Sequence, residues 1–307
     1  MPRRDLGREP VTDSSTFDAV LGPRAAGTVT ILDGAMGTEL ERRGVSMDAA
    51  AWCGLANLTA IDQVRAIHDE NIAAGADVIT TNTFMSGPGP MDRAGAGDRF
   101  AQGIREAARV AKEAAGDAGR PVAIAGSVSC ETWAEPRAGK RMRDDYALQI
   151  ELLAESGVDL IALEMVTGEE HGEPALEAAL ATGLPVWAGF SMRRETNAYE
   201  TLPTIDEVRT VAQHLIVGEL DAVTVMHTDV VDAADSLSMM RTLWDGPLGV
   251  YPHHGLWSAP NWTYLDMEPD ALVEQARAWL DQGVGILGVC CGLTARHVAA
   301  LRAAAGR

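Results

Sequence analysis

A chain of 307 residues has room for one large domain or two modest ones, and its 25 Lys plus Arg against 44 Asp plus Glu leave a net charge of −19. That excess of negative charge provides no basic footprint for nucleic acid or an acidic membrane surface and leaves small neutral or cationic ligands open. Four cysteines, two of them vicinal, are too few for a disulfide scaffold, no stretch reaches the roughly 20 apolar residues of a membrane helix, and Met1 to Gly27 lacks an apolar signal core, so a cytoplasmic protein with reduced thiols is expected.

Residues 1–27 mix Arg, Asp, Ser and Pro without periodicity, which predicts a flexible N-terminal tail or an oligomer arm. From residue 28 onward, short runs rich in Val, Ile and Leu alternate with segments of helical spacing. The runs are Val29–Asp33, Asp77–Thr83, Pro121–Gly126, Asp159–Glu164, Pro185–Phe190, Ala222–Met226, Leu248–Tyr251 and Gly285–Val289. Continuous apolar runs of this length, separated by helices, predict parallel strands buried on both faces. Thr204 with Glu207 and Thr59 with Asp62 read as capping boxes that start two of the helices. Eight strand–helix repeats predict a single α/β domain over 28–307, a (β/α)8 TIM barrel. A doubly wound open sheet is the alternative, but neither its glycine-rich phosphate loop nor a Walker sequence is present.

Barrel active sites are built at the C-terminal ends of the strands. Here those ends carry Asp33-Gly34, Thr81-Asn82-Thr83, Ser127-Val128-Ser129, Glu164-Met165, Ser191, His227-Thr228-Asp229, His253-His254 and Cys290-Cys291. Singly, each reads equally well as turn chemistry, and Cys290-Cys291 as two small side chains in a buried strand. In a barrel, however, inward groups from alternate strands share a level. His227 after the sixth run and the two thiols after the eighth can therefore converge as a three-ligand zinc site with an open fourth position.

At these residues the sequence resembles the homocysteine S-methyltransferase family. The resemblance spans about Thr28 to Ala300 and rests on Asp33-Gly34-Ala35-Met36-Gly37-Thr38-Glu39-Leu40, on Gly75 to Phe84, on Leu163-Glu164-Met165, on Tyr251-Pro252 and on Gly288 to Thr294. It implies a zinc-dependent (β/α)8 barrel that transfers a methyl group to homocysteine or a related thiol or selenol. The implied donor is a small sulfonium, S-methylmethionine or S-adenosylmethionine, with betaine as a related alternative. It also implies that Cys290 and Cys291 bind zinc, that Asp33 and Glu164 hold the substrate ammonium group, and that Gly34 and Asn82 lie against the substrate.

Two departures from the family pattern surround the metal. His227 stands where the family has its third zinc Cys, and His253-His254 follow Tyr251-Pro252 where the family continues with Asn. A neutral imidazole makes the centre one charge less negative and a stronger Lewis acid. That suits another acceptor, or a metal-bound water and hydrolysis with His253 or His254 as proton carrier, or a barrel kept only to bind methylated sulfur compounds.

The remaining candidates have plainer readings. His68, His214 and His297 lie in predicted helices as surface or packing residues, and Cys53 and Cys130 read as small side chains, Cys130 with the option of facing the mouth. Trp257 and Trp262 flank a mobile-looking loop, either packing there or forming an aromatic wall for a sulfonium. Ser86 to Pro90 reads as a shaped loop near the substrate and a candidate lid.

Overall fold

The computed structural model describes residues 20, 28–130, 140–194 and 202–306. Its strands in chain order are β1 (Thr30–Ile31), β2 (Val78–Thr80), β3 (Ala123–Ser129), β4 (Leu160–Val166), β5 (Val186–Phe190), β6 (Ala222–Asp229), β7 (Leu248–His253), β8 (Leu256–Ser258), β9 (Asn261–Thr263) and β10 (Ile286–Leu287). Eight of them form one sheet in the order β1-β10-β7-β6-β5-β4-β3-β2. All neighbours are parallel, and a parallel bridge from Leu32 to Val78 joins β1 to β2 and closes the barrel. Each of the eight apolar runs thus supplies one barrel strand, with helices in between.

The strands alternate as the pleat requires. One set of side chains, including Leu32, Val78, Leu160, Ala162, Trp187 and Ile286, fills the barrel interior. The other set, including Ile31, Ile79, Ile124, Ile161 and Val223, packs outward against helix residues such as Ile104, Leu153 and Trp279. Asp77, Asp159 and Asp221 recur just before even-numbered strands, and each accepts a hydrogen bond from an N–H of the preceding strand, Ile31 at 3.1 Å, Ile124 at 2.7 Å and Val186 at 2.9 Å. These buttresses fix register at the bottom of the barrel, away from the site.

The Thr204–Glu207 capping box is present ahead of the helix Ile205–Leu215. The Thr59–Asp62 box is not. Thr59 closes a short helix, Ala56–Thr59, and its hydroxyl donates to the Leu55 carbonyl, while the next helix starts at Ile61 with Ala60 as its cap. An unpredicted box forms at the last helix, where His297 turns its ring back to Thr294. Of the expected tail only Val20 is described, and it is buried in the interior cluster; the rest lies outside the described residues. Among the described residues no helix is long and apolar enough to cross a membrane.

Candidate metal centre and substrate pocket

Two strand ends owe their shape to β-bulges. Between the pairs Leu163–Ala188 and Val166–Phe190, β4 sets Glu164 and Met165 against the single residue Gly189 of β5. Between Met226–Tyr251 and Asp229–His253, β6 sets His227 and Thr228 against the single residue Pro252 of β7. Neither partner resists a break in the ladder: Pro252 has no N–H to donate, and Gly189 has no side chain to crowd the kink. The bulged residues Met165 (φ 55°) and His227 (φ 43°) take left-handed backbone, a conformation unusual for residues with a Cβ. Bulges of this kind re-aim side chains, and here both lie at the top of the barrel.

His227 meets the two thiols there. Its Nδ1 is 3.5 Å from Cys290 Sγ, Cys290 Sγ is 3.9 Å from Cys291 Sγ, and one ligand atom from each of the three residues lies within 4.8 Å of the others. Burial, and then the neighbouring His253, push the His227 imidazole well below its usual range, so it is neutral with a free lone pair at pH 7. The Cys291 thiol is pushed well up, first by its hydrogen bond with the Cys290 thiol and then by burial. Two thiols and a neutral imidazole at this separation are a donor set suited to a zinc-like cation. The turn that presents them depends on Gly292, whose φ is +83° and whose Cβ would lie 1.8 Å from the His254 carbonyl oxygen. Arg42 donates to the Gly292 carbonyl at 2.9 Å and fixes that turn from outside.

The same cavity, of ≈ 80 Å³, is lined by Asp33 and Glu164 as well as by His227, Cys290 and Cys291. Asp33, 3% exposed, accepts from both the N–H and the hydroxyl of Thr80. Burial nevertheless pushes its pKa up to about 7. Glu164 accepts from the hydroxyls of Ser127 and Tyr251, and burial raises its pKa also. Among the described residues no Lys or Arg lines this cavity beside the two buried carboxyl groups, whose ionised forms would attract a cation. The remaining walls are largely apolar, with Met36, Trp52, Phe84, Met165 and Val289 among them.

Gly34 and Asn82 also line the cavity, but their polar groups already have protein partners. Gly34 N–H donates to Asn71 Oδ1 at 3.0 Å. The Asn82 amide donates to the Cys53 carbonyl and to Asn57 Oδ1, and its own oxygen accepts from the Cys53 thiol at 3.2 Å. Cys53 is therefore a pocket-wall residue rather than an incidental small side chain. Sequence reasoning missed Cys53, Asn57 and Asn71, and no local spacing marks them.

Cys130 does not face the mouth; it packs in the cluster between barrel and helices. Ser86 is buried, and Pro88 begins a helix, Pro88–Arg93, instead of a lid. The expected mobile loop is the β8–β9 hairpin, with Trp257 against Trp52 and Trp262 against His227, ring centroids 5.7 Å apart in both pairs. His68 is wholly buried, His214 is exposed, and neither lines the cavity. His253 and His254 are not among the residues that line the cavity, although His253 packs against His227.

The homocysteine S-methyltransferase family profile matches residues 30–305. Among curated proteins, homocysteine S-methyltransferase 4 of Zea mays is 27% identical over 91% of this chain and 90% of its own. The selenocysteine methyltransferase of Astragalus bisulcatus is 22% identical over 88% and 90%. The metallated crystal form of the homocysteine methyltransferase MmuM from Escherichia coli superposes with a TM-score of 0.74 at 21% identity, covering 94% of this chain and 99% of that one. The chain is a methyltransferase barrel that belongs to the homocysteine S-methyltransferase family.

Proposed function

We propose that this protein is a zinc-dependent S-methyltransferase that moves a methyl group from a small sulfonium, S-methylmethionine or S-adenosylmethionine, to homocysteine or a related thiol or selenol. The observation that carries this reading is that one cavity holds His227, Cys290 and Cys291 together with the carboxylates Asp33 and Glu164. An amino-acid thiol has an ammonium group for the carboxylates and a sulfur for the metal. Zinc, when bound by His227, Cys290 and Cys291, would hold the acceptor sulfur as its thiolate.

In the reaction the acceptor S–H loses its proton to solvent, its sulfur forms a bond to the methyl carbon, and the C–S⁺ bond of the donor breaks to release a neutral thioether. Full ionisation of a free thiol at pH 7 costs on the order of 2 kcal/mol, far less than in-line positioning can supply, roughly 7 to 11 kcal/mol. The chain's own contribution is thus mainly alignment. Asp33, tied to Thr80, and Glu164, tied to Ser127 and Tyr251, fix the amino-acid end. The apolar wall around Trp52 and Phe84 excludes water and presents aromatic faces to a sulfonium charge.

The test is incubation of the purified protein with S-methylmethionine or S-adenosylmethionine and with homocysteine, cysteine or selenohomocysteine, the product being weighed by mass spectrometry. A methyl thioether or selenoether supports the reading. Absence of methyl transfer in every combination, with zinc bound, contradicts it.

A further inference from the structure

A histidine ligand poses a problem that a cysteine does not. A thiol aims its sulfur with one torsion, whereas an imidazole must also fix its rotation about Cβ–Cγ before a ring nitrogen points at the metal. His227 sits in a bulge with left-handed backbone, where the regular ladder does not hold it. Its ring is held instead by two others. His253 stacks on it with centroids 4.4 Å apart and a 43° tilt, and Trp262 meets it nearly edge-on at 5.7 Å and 65°. His253 and Trp262 also touch each other, at 5.5 Å and 83°, so the three rings close a triangle.

Both outer rings have supports of their own. His253 is 1% exposed, and its Nε2 lies 3.9 Å from the Asp229 carboxylate directly across the β6–β7 ladder. Trp262 donates from Nε1 to the His254 carbonyl at 3.3 Å, and its backbone N–H reaches the Glu41 carboxylate at 3.2 Å. His253 is not among the residues lining the cavity, and its ring contact with His227 ties it to the candidate metal site.

We propose that His253 is a positioning residue for His227, its ring holding the His227 imidazole in the orientation that turns Nδ1 toward the two thiols. The inference rests on the reading above that His227 completes the metal site. It makes the two departures at positions 227 and 253 one structural unit, an imidazole ligand together with the ring that aims it. The contact with His227 is ring against ring, so an aromatic ring of similar size at position 253 should reproduce it.

The experiment is Co²⁺ substitution of the full chain, read by the ligand-field and thiolate charge-transfer bands and by titration of affinity, with His253→Ala and His253→Phe compared. Losing a group that orients a metal ligand typically weakens binding 10- to 100-fold. The expected result is a loss of that size in His253→Ala with altered ligand-field bands, and recovery to within about threefold of wild type in His253→Phe. Melting curves of the metal-free proteins separate misfolding from loss of aim, and His253→Phe keeps the ring volume if His253→Ala fails to fold. Wild-type bands and affinity in His253→Ala overturn the inference, as does a His253→Phe protein that folds but binds no better than His253→Ala. A wild-type chain that gives no thiolate–cobalt bands overturns the metal reading itself, a distinct result.

Discussion

Glu164 and His227 are each the first of two residues that bulge out of an even-numbered barrel strand, one opposite Gly189 and the other opposite Pro252. A β-bulge thus interrupts the strand at both residues and both line the same cavity, the left-handed backbone falling on Met165 in one bulge and on His227 itself in the other. Left-handed backbone in a non-glycine residue costs of order 1–3 kcal/mol.

His227→Ala should leave the two thiols without their third partner and reduce zinc affinity by at least tenfold, whereas His227→Cys should retain the metal, because a thiolate is itself a zinc ligand. Equilibrium dialysis against a chromophoric chelator reads both variants.

Asp33 imposes a pH dependence whose sign follows from its raised pKa. Binding an ammonium needs the ionised carboxylate, so KM for the amino-acid acceptor should rise as pH falls below about 7, by up to tenfold per unit. Asp33→Asn should weaken that dependence, Glu164 still titrating, while raising KM about 100-fold at pH 8, a neutral amide having no charge to offer.

The same residue acts on stability in the opposite direction. With a folded pKa of about 7 and an ordinary value of 3.8, only the folded state keeps the proton between those limits. The Asp33 contribution to stability is thus most favourable below pH 4, falls as pH rises to about 7, and levels off above it. Asp33→Asn should raise the melting temperature more at pH 8 than at pH 5, because about two pH units of the Asp33 contribution, on the order of 3 kcal/mol, are lost between those values. Calorimetry of the substrate-free protein at both values checks it.

Gly292→Ala should destabilise the fold and empty the metal site together. Its positive φ and the 1.8 Å approach of a Cβ to the His254 carbonyl force the turn after Cys291 to move. A loss of at least 2 kcal/mol in denaturant unfolding is expected, with zinc content reduced in parallel; an unchanged zinc content would show that the turn does not present the thiols.

The barrel was legible because strands buried on both faces leave continuous apolar runs, and all eight runs lie on strands. His227, Cys290 and Cys291 could be associated because barrel topology puts the ends of alternate strands at one level. What eluded the sequence is tertiary. Thr59 looked like a cap, but the helix Ala56–Thr59 places it at a C-terminus. Cys53 looked incidental because its partner Asn82 is 29 residues away, and Asn71 reaches Gly34 across 37. The bulges at Glu164 and His227 leave no local signature beyond Gly189 and Pro252 on neighbouring strands, and the hairpin that brings Trp262 onto His227 resembled a loose loop.

The most direct measurement of the central claim is the zinc content of the purified chain beside that of a Cys290→Ala, Cys291→Ala double variant. About one zinc per chain in the wild type and none in the double variant is the predicted result. A wild-type chain without zinc, or a double variant that keeps its zinc, would contradict the metal centre at His227, Cys290 and Cys291.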